Sequence, residues 1–493
     1  MTPVEFKLFI DGVFCDAADG AQFESIDPAL ETVWATVPEA RETDVDRAVA
    51  AARAALTTGP WAAMTATERG HLLRRLGDLL VERSSEFAEI ETKDTGKIIR
   101  ETAGQAAYMA SYYHYFGGMA DKIEGAVLPI DKPDMITMTV REPLGVVAAV
   151  IPWNGQILLT ASKLAPALAA GNTVVIKASE DGPATLLKFS ELIDAAGFPP
   201  GVVNVITGFG DRCGKRLTSH PDVARVAFTG GTETARHIVR NTAENLATLS
   251  LELGGKSPLI VFEDADLDSA ANGIVAGVFG AAGQSCVSSS RLLVHESVHG
   301  ELMGRLIKTA ESIRIGDPLD HATEMGPLCT ARQRDRIEQL VAETVAAGAT
   351  VLTGGARPAD QPKGFYWQPT IIDCPHDGLP TLEEELFGPV LSVRQFADED
   401  EAIRIANSSR YALAGGAFTR DVGRAMRVGH ALSSGIAYIN TWRVVSPIAP
   451  FGGNQHSGFG REGGSDAIRD YTRVKTIWIN TSDVPMADPF IMR

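Results

Sequence analysis

The sequence VVAAVIPWN, from Val146 to Asn154, sets the fold class of this chain. Its first part, Val146–Ile151, is apolar at every position, and the PWN that follows is typical of a turn. Helix-like segments follow at Ala161–Ala170 and Ala184–Ala196. Strands that alternate with helices predict βαβ units, and uninterrupted apolar strands indicate a parallel sheet covered on both faces. Similar strand-like runs recur at Thr173–Ile176, Val202–Ile206, Val223–Phe228, Leu249–Leu253 and Pro258–Phe262.

Further elements are predicted on both sides of this region. Helical spacing of leucines predicts helices within residues 65–97, and an aromatic-rich helix is expected around Tyr108–Phe116. After about Asp264 the pattern restarts, so we expect a second α/β unit. Two detached strand-like runs, Met135–Val140 and Val474–Ile479, could pair with each other or with a partner subunit. The elements predicted for the second unit are helices near Ala270–Phe279 and Gly300–Ile313 and strands near Leu391–Phe396 and Gly435–Ile439.

Composition narrows the possible functions. The chain has 493 residues, of which 45% are hydrophobic and 22% charged, as in globular proteins of two or three domains. Its net charge of −17 argues against nucleic acid and anionic membranes as partners. We expect neither a signal peptide nor a membrane span, since there is no basic leader and no apolar run of about 18 residues. The five cysteines are scattered without a CxxC pair, which predicts free thiols, no metal site and a cytoplasmic location.

One cysteine stands in a setting that suits a nucleophile. Cys286 lies in GAAGQSCVSSS, where glycines allow close backbone approach and small neighbours leave the sulfur accessible. Taken alone, it could equally be a small buried hydrophobic residue. Glu252 and Asn154 each follow an apolar run, so both would lie at the ends of parallel strands, where α/β active sites gather. Their alternative roles are a cap or surface charge for Glu252 and a turn residue for Asn154.

Seven short motifs make a family resemblance specific. They occur in one order and span nearly the whole chain, and together they closely resemble the aldehyde dehydrogenase superfamily. The motifs are PWN (Pro152–Asn154), KASE (Lys177–Glu180), FTGGTE (Phe228–Glu233), ELGGKSP (Glu252–Pro258), GQSC (Gly283–Cys286), EEELFGPV (Glu383–Val390) and PFGG…SGFGRE (Pro450–Glu462).

The resemblance implies a fold and an assembly. It implies an α/β protein with a Rossmann-like NAD-binding domain (residues 1–120 and 144–254) and an α/β catalytic domain (residues 255–456). A small β oligomerisation arm with a C-terminal tail would comprise residues 121–143 and 457–493. The detached strands would build this arm, and the protein would be a homodimer or homotetramer.

The resemblance also implies an activity, the NAD-dependent oxidation of an aldehyde to its carboxylic acid. The Cys286 thiolate would attack the aldehyde carbon to form a thiohemiacetal. The Asn154 side chain and the Cys286 backbone N–H would stabilise the oxyanion while hydride leaves for the nicotinamide. Glu252 would then activate the water that hydrolyses the thioester. Glu462 would relay protons, or it could simply pair with a nearby arginine.

A cofactor site follows from the same motifs. Lys177 and Glu180 would hold the adenine ribose, and the Glu180 carboxylate favours NAD over NADP because it would repel a 2′-phosphate. Two positions depart from the commoner family pattern: Gly231 replaces a serine, which removes a hydroxyl donor to the phosphate, and Ala235 replaces a glycine. The predicted cofactor residues are Ile151, Pro152, Trp153, Asn154, Lys177, Ser179, Glu180, Gly210, Phe228, Thr229, Gly230, Gly231, Thr232, Leu253, Glu385 and Phe387.

The resemblance also implies a small aldehyde as substrate, bound in a tunnel beside the cysteine. Gly155 and Ser162 replace positions that are often aromatic in that superfamily, which predicts an entrance wider than in small-aldehyde enzymes. Arg443 could hold a substrate carboxylate or another polar tail, or it could form a surface salt bridge. The predicted tunnel residues are Gly155, Leu158, Leu159, Ser162, Ser285, Val287, Trp442, Arg443 and Phe451.

Two other functions are weighed against this one. A CoA-acylating dehydrogenase would pass the thioester to coenzyme A, but such enzymes tend to lack the glutamate of ELGG, so Glu252 argues against it. A catalytically silent binding protein could keep the same fold. The presence of Cys286, Glu252 and Asn154 argues against that alternative.

Overall fold

The strand Val146–Val150 lies inside a mainly parallel sheet, here called the first sheet. The computed structural model describes residues 2–486 and 488–490. The parallel strands occur across the sheet in the doubly wound order third, second, first, fourth and fifth, and an antiparallel strand pairs at each edge. The predicted α/β fold class is therefore confirmed. From one edge to the other, the strands are Gly458–Phe459, Thr248–Leu253, Val223–Gly230, Val146–Val150, Thr173–Lys177, Val203–Ile206, Leu8–Ile10 and Val13–Cys15.

The apolar strands are explained by burial on both faces of the first sheet. Every residue of Thr173–Lys177 and of Val203–Ile206 is buried, although successive side chains point to opposite faces. The two parallel strands that follow Val146–Val150 in the chain lie on one side of it in the sheet. The next strand, Val223–Gly230, pairs with its other side. Between these two strands the winding reverses, and a crevice opens at their carboxyl ends. This crevice positions the PWN and TGG turns next to each other.

The helix after the PWN turn begins earlier than the sequence pattern predicted. It spans Gln156–Ala169 rather than starting at Ala161, because Gly155 ends the turn and the polar residues Gln156 and Thr160 are buried in the helix. The α-helices of the described residues are Glu42–Thr57, Pro60–Ala63, Ala66–Glu82, Ser84–Thr95, Ile99–Met119, Gln156–Ala169, Ala184–Ala196, Lys215–Ser219, Thr232–Asn241, Leu267–Val278, Glu296–Ser312, Ala331–Ala346, Pro380–Glu383, Glu399–Ala406, Val422–Ala431 and Gly464–Ala467. Among these, no helix has the length and apolar character needed to cross a membrane.

A second, largely parallel sheet confirms the expected second α/β unit. It includes Pro258–Val261, whose sequence resembles the strands of the first sheet but which pairs with Arg291–His295 and Ala414–Phe418. The segment Gly254–Ser257 thus carries the chain from one sheet to the other. The strands of the second sheet, in spatial order, are Thr350–Thr353, Thr370–Asp373, Val390–Phe396, Arg291–His295, Pro258–Val261, Ala414–Phe418 and Ile436–Ile439.

The two detached strands pair with each other, as one of the two alternatives predicted. Thr472–Asn480 runs antiparallel to Met135–Pro143, which also pairs with Ala126–Leu128, and we call this the arm sheet. Thr472–Asn480 forms its edge, and Trp478 on that strand is 57% exposed. Smaller pairings join Val4–Glu5, Thr32–Pro38 and Gln22–Asp27, and also Tyr411–Ala412 and Asn454–Gln455.

The buried Asn172 side chain connects the arm sheet to the first sheet. The Asn172 amide accepts a hydrogen bond from Gly145 N at 3.0 Å and donates to the carbonyls of Ala167 at 3.0 Å and Tyr471 at 2.9 Å. Gly145 immediately precedes the central strand Val146–Val150, and Tyr471 immediately precedes the edge strand of the arm sheet. We predict that Asn172→Ala lowers the free energy of unfolding by about 2–4 kcal/mol, because buried groups on both segments lose their partner.

Equilibrium urea denaturation checks this prediction. Asn480→Ala is the matched control, since Asn480 is exposed and should change stability by no more than about 0.5 kcal/mol. Equal losses in both variants would contradict the role assigned to Asn172.

Candidate active site

A cavity of about 440 Å³ lies where the PWN turn faces the cysteine loop. The wall also includes the start of helix Gln156–Ala169 and the side of helix Ile99–Met119. Trp442 is the one predicted tunnel residue outside the described lining, because its buried indole donates to the Val287 carbonyl at 2.9 Å and supports the wall from behind. The predicted residues that line this cavity are Asn154, Gly155, Leu158, Leu159, Ser162, Ser285, Cys286, Val287, Arg443, Phe451 and Glu462.

Cys286 is half-buried and borders this cavity. It lies just before the strand Arg291–His295, so the second sheet carries it, whereas the first sheet carries Asn154. The Asn154 side-chain amide donates to the Gln284 carbonyl at 3.1 Å, which joins the two loops. Burial, followed by the carboxylates of Glu252 and Glu385, raises the pKa of the Cys286 thiol to about 12. The sulfur therefore needs a proton acceptor to become a nucleophile.

Glu252 lies behind the wall rather than among the residues described as lining the cavity. Glu252 is the penultimate residue of the strand Thr248–Leu253. Its carboxylate lies against the backbone of Gly452, where an added Cβ would be 2.6 Å from Glu252 Oε1. Within the described residues, both of its carboxylate oxygens are buried without a hydrogen-bond partner. Burial, and then the charge of Glu462, raises the pKa of Glu252 well above its usual value. A carboxyl in this state is suited to accept a proton.

Among the described residues, Glu462 pairs with a lysine and with no arginine, the alternative considered from the sequence. Its carboxylate accepts from Ser162 Oγ at 2.6 Å and forms a buried ion pair with Lys163. The Lys163 ammonium also donates to Thr229 Oγ1 at 2.6 Å. Lys163 was not predicted from the sequence, although a lysine inside the apolar segment QILLTASKLAPALA indicates a buried charge that requires a partner.

A second cavity, of about 790 Å³, lies at the carboxyl ends of the parallel strands of the first sheet. It occupies the crevice where the winding reverses, which is where open α/β sheets bind ligands. At its edge, the Lys177 ammonium lies 2.8 Å from a Glu180 carboxylate oxygen. The predicted cofactor residues that line it are Ile151, Pro152, Trp153, Lys177, Ser179, Glu180, Gly210, Phe228, Thr229, Gly230 and Gly231.

The other predicted cofactor residues lie outside the lining described for this second cavity. Asn154 borders the first cavity, and Thr232 donates to the His456 carbonyl at 3.3 Å. Leu253 is buried in its strand. The Phe387 ring meets Trp153 edge-on at 5.5 Å, and the Glu385 carboxylate accepts from Gly255 N at 3.0 Å. Burial raises the pKa of Glu385 to about 7.

Several lining residues were not predicted, because they lie in no motif. Around the second cavity these are mostly charged side chains of short helices and turns. In the sequence, such side chains cannot be distinguished from charged side chains that only face solvent. Around the first cavity they come from one face of Ile99–Met119 and the residues just before it. The main additions are Asp181, Lys215, His237, Arg240 and Arg332 for the second cavity and Lys97, Glu101, Gln105, Tyr108 and Tyr112 for the first.

Comparisons with known proteins identify the family of this chain. The model of the aldehyde dehydrogenase family matches residues 14–477. The chain is 56% identical over 490 residues to the (Z)-2-((N-methylformamido)methylene)-5-hydroxybutyrolactone dehydrogenase of Acinetobacter baylyi, covering 99% of this chain and 100% of that relative.

Solved structures show the same similarity. An NAD+ complex of aldehyde dehydrogenase from Bacillus cereus matches with a TM-score of 0.95 and 41% identity over 97% of each chain. Betaine aldehyde dehydrogenase from Staphylococcus aureus, also in complex with NAD+, matches with a TM-score of 0.96 and 38% identity, covering 99% of this chain and 97% of that one. The chain therefore belongs to the aldehyde dehydrogenase family and is an NAD(P)-dependent enzyme of that family.

Proposed function

We propose that this enzyme oxidises an aldehyde to its carboxylic acid with NAD, through a thioester on Cys286 that Glu252-activated water hydrolyses. The observation that carries the proposal is the placement of the PWN turn between the two cavities. Trp153 lines the larger cavity, while the neighbouring Asn154 lines the smaller one together with Cys286. A dinucleotide in one cavity and an aldehyde in the other would therefore meet at this turn.

The larger cavity has features that fit NAD. The Lys177–Glu180 pair lies at the end of the second strand, where an acidic residue binds a ribose 2′-hydroxyl in this class of sheet. Gly230 and Gly231 line the adjoining turn, so the backbone there can approach a phosphate closely. Two similar solved structures are NAD+ complexes. When bound, the cofactor supplies the hydride acceptor, and Glu180 favours NAD over NADP.

The geometry supports a proton transfer coupled to nucleophilic attack. Because burial and nearby carboxylates raise the pKa of Cys286 to about 12, attack on the aldehyde requires the thiol proton to move to a base. Glu252 is suited to accept it, since its own pKa is raised. The Asn154 side-chain amide faces the same cavity and would donate to the oxyanion that forms.

Glu252 also supports water as the acceptor of the acyl group. Its two oxygens have no protein donor among the described residues, so either can accept a hydrogen bond from a water molecule. The Glu462 carboxylate, which affects the pKa of Glu252, contacts Lys163 and Ser162 and provides a route by which the released proton could leave. This arrangement favours hydrolysis over transfer to coenzyme A.

We also propose the domain division and assembly implied by the resemblance. Residues 1–120 and 144–254 would form the NAD-binding domain and residues 255–456 the catalytic domain. Residues 121–143 and 457–493 would form the arm and tail of a cytoplasmic homodimer or homotetramer. The exposed edge strand of the arm sheet supports subunit association, because an unpaired edge can add a neighbouring strand. Gly458–Phe459 is an exception within the proposed arm, since it pairs with the first sheet.

The first functional prediction concerns the nucleophile. Cys286→Ala should abolish aldehyde-dependent NADH formation, and Asn154→Ala should reduce kcat by about 10²–10³-fold through loss of one oxyanion donor. Cys15→Ala is the control, since Cys15 is a half-buried thiol on the edge strand Val13–Cys15. Added coenzyme A should yield no acyl-CoA. An active Cys286→Ala variant, or formation of acyl-CoA, would exclude the proposed mechanism.

A second prediction concerns pH. As a base, Glu252 works only when ionised, so kcat should fall as the pH drops below its raised pKa. Since the Glu462 charge contributes to that raised pKa, Glu462→Gln should lower it and move the acid limb of the kcat profile to lower pH. The profile of kcat between pH 5 and pH 9 checks the direction. An acid limb that stays in place or moves to higher pH would contradict the coupling.

A relative and Arg443 support a proposal for the substrate class. The 56% identical relative is a (Z)-2-((N-methylformamido)methylene)-5-hydroxybutyrolactone dehydrogenase. Chemically, a 5-hydroxybutyrolactone ring is the cyclic form of an aldehyde that carries a carboxylate. Arg443 lines the cavity and is half-buried, so it can pair with such a carboxylate. We therefore propose an aldehyde with a carboxylate tail as the substrate.

Arg443→Ala tests this substrate class. It should lower kcat/KM for succinic semialdehyde by about 10–100-fold, since a hydrogen bond to a charged group is lost. For butanal, a neutral aldehyde of the same length, kcat/KM should change little. Equal losses on both aldehydes would show that Arg443 does not recognise the carboxylate.

A further inference from the structure

The segment that delivers Cys286 contains a left-handed turn, Ala281–Gly283. Ala281 has φ 54°, Ala282 has φ 51° and Gly283 has φ 71°. Glycine suits the third position, where a Cβ would collide with the Gly388 carbonyl. The positive φ angles of Ala281 and Ala282 are unfavourable, because residues with L side chains disfavour the left-handed region. Something outside the turn must therefore hold it.

Contacts from distant parts of the chain hold both ends of this turn. At its start, Ala281 N donates to Glu101 Oε1 at 2.9 Å. Beyond its end, the Gln284 carbonyl accepts from Asn154, and the Gln284 side-chain oxygen accepts from Cys329 N at 2.9 Å. Cys286 follows two residues later, so its direction depends on the turn.

The Glu101 carboxylate is placed for this role. It extends from the first turn of helix Ile99–Met119 and lines the same cavity as Cys286. Its second oxygen is buried without a partner among the described residues. The Arg443 guanidinium and the Glu101 carboxylate both lie next to Gly280. A Cβ added to Gly280 would collide with the guanidinium and would be 3.5 Å from Glu101 Oε1, so the two side chains are near each other. Arg443 in turn donates to the Ala276 carbonyl at 3.0 Å, in the helix that leads into the turn.

We propose that Glu101 is a positioning residue for the nucleophile. Its carboxylate holds Ala281–Gly283 in the left-handed conformation, and the turn then points Cys286 into the cavity. The inference rests on the proposed function, in which Cys286 is the nucleophile.

Three variants test the proposal through kcat, KM and the rate at which iodoacetamide alkylates Cys286. Glu101→Ala should lower kcat by about 100-fold with little change in KM, since a small displacement of a reacting group has an effect of this size. Glu101→Gln should recover most of kcat, because its amide oxygen can accept the same hydrogen bond. Adding Ala281→Gly to Glu101→Ala should also restore activity, because glycine adopts positive φ without steric cost. Alkylation rates should follow kcat.

Glu82→Ala is the matched control, since Glu82 is an exposed glutamate on another helix. The proposal is overturned if Glu101→Ala leaves kcat unchanged, if it raises KM alone, or if neither Glu101→Gln nor Ala281→Gly restores activity. If Glu101→Ala does not fold, folding of the double variant with Ala281→Gly supports the proposal, and failure of both contradicts it. Inactive wild-type enzyme or active Cys286→Ala would instead contradict the proposed function.

Discussion

The hydrogen bond from the Asn154 amide to the Gln284 carbonyl joins the two halves of the candidate active site. One partner follows a strand of the first sheet, and the other precedes a strand of the second sheet. Neither sheet alone brings a nucleophile next to the crevice at the carboxyl ends of the first sheet. The proposed chemistry therefore depends on contacts between the sheets. The left-handed turn, Glu101 and the Gln284 side chain all determine how the cysteine loop meets the PWN turn.

Buried charge is the second constraint on this site. Glu252, Glu462 and Lys163 are all withdrawn from water, yet only Glu462 and Lys163 form an ion pair. Because an unpaired buried carboxyl has a raised pKa, Glu252 is a better proton acceptor than an exposed glutamate. Burial also disfavours the ionised form of the Cys286 thiol, which raises its pKa. Under the proposed mechanism, the thiol proton therefore moves to Glu252 as the sulfur attacks the aldehyde.

The sequence predicted the features that rest on local patterns. Apolar strands and the turns that end them were accessible, because burial on two faces and close backbone approach leave clear residue signatures. The motif residues of both cavities were predicted from the resemblance to the aldehyde dehydrogenase superfamily. The early start of helix Gln156–Ala169 was missed, since the buried polar residues Gln156 and Thr160 interrupt its apolar pattern. Glu101 and Lys163 were missed because their roles arise from contacts with residues far along the chain. Trp442 was placed in the tunnel although it packs behind it.

The thioester on Cys286 is the intermediate on which the proposed mechanism depends. Mass spectrometry of the wild-type enzyme, mixed with NAD and aldehyde and quenched in acid within the first turnover, tests it most directly. The mechanism predicts an acyl group on Cys286, with a mass gain equal to the aldehyde less two hydrogens, and one NADH formed for each acyl group. Steady turnover without this adduct, or an acyl group on another residue, would contradict it.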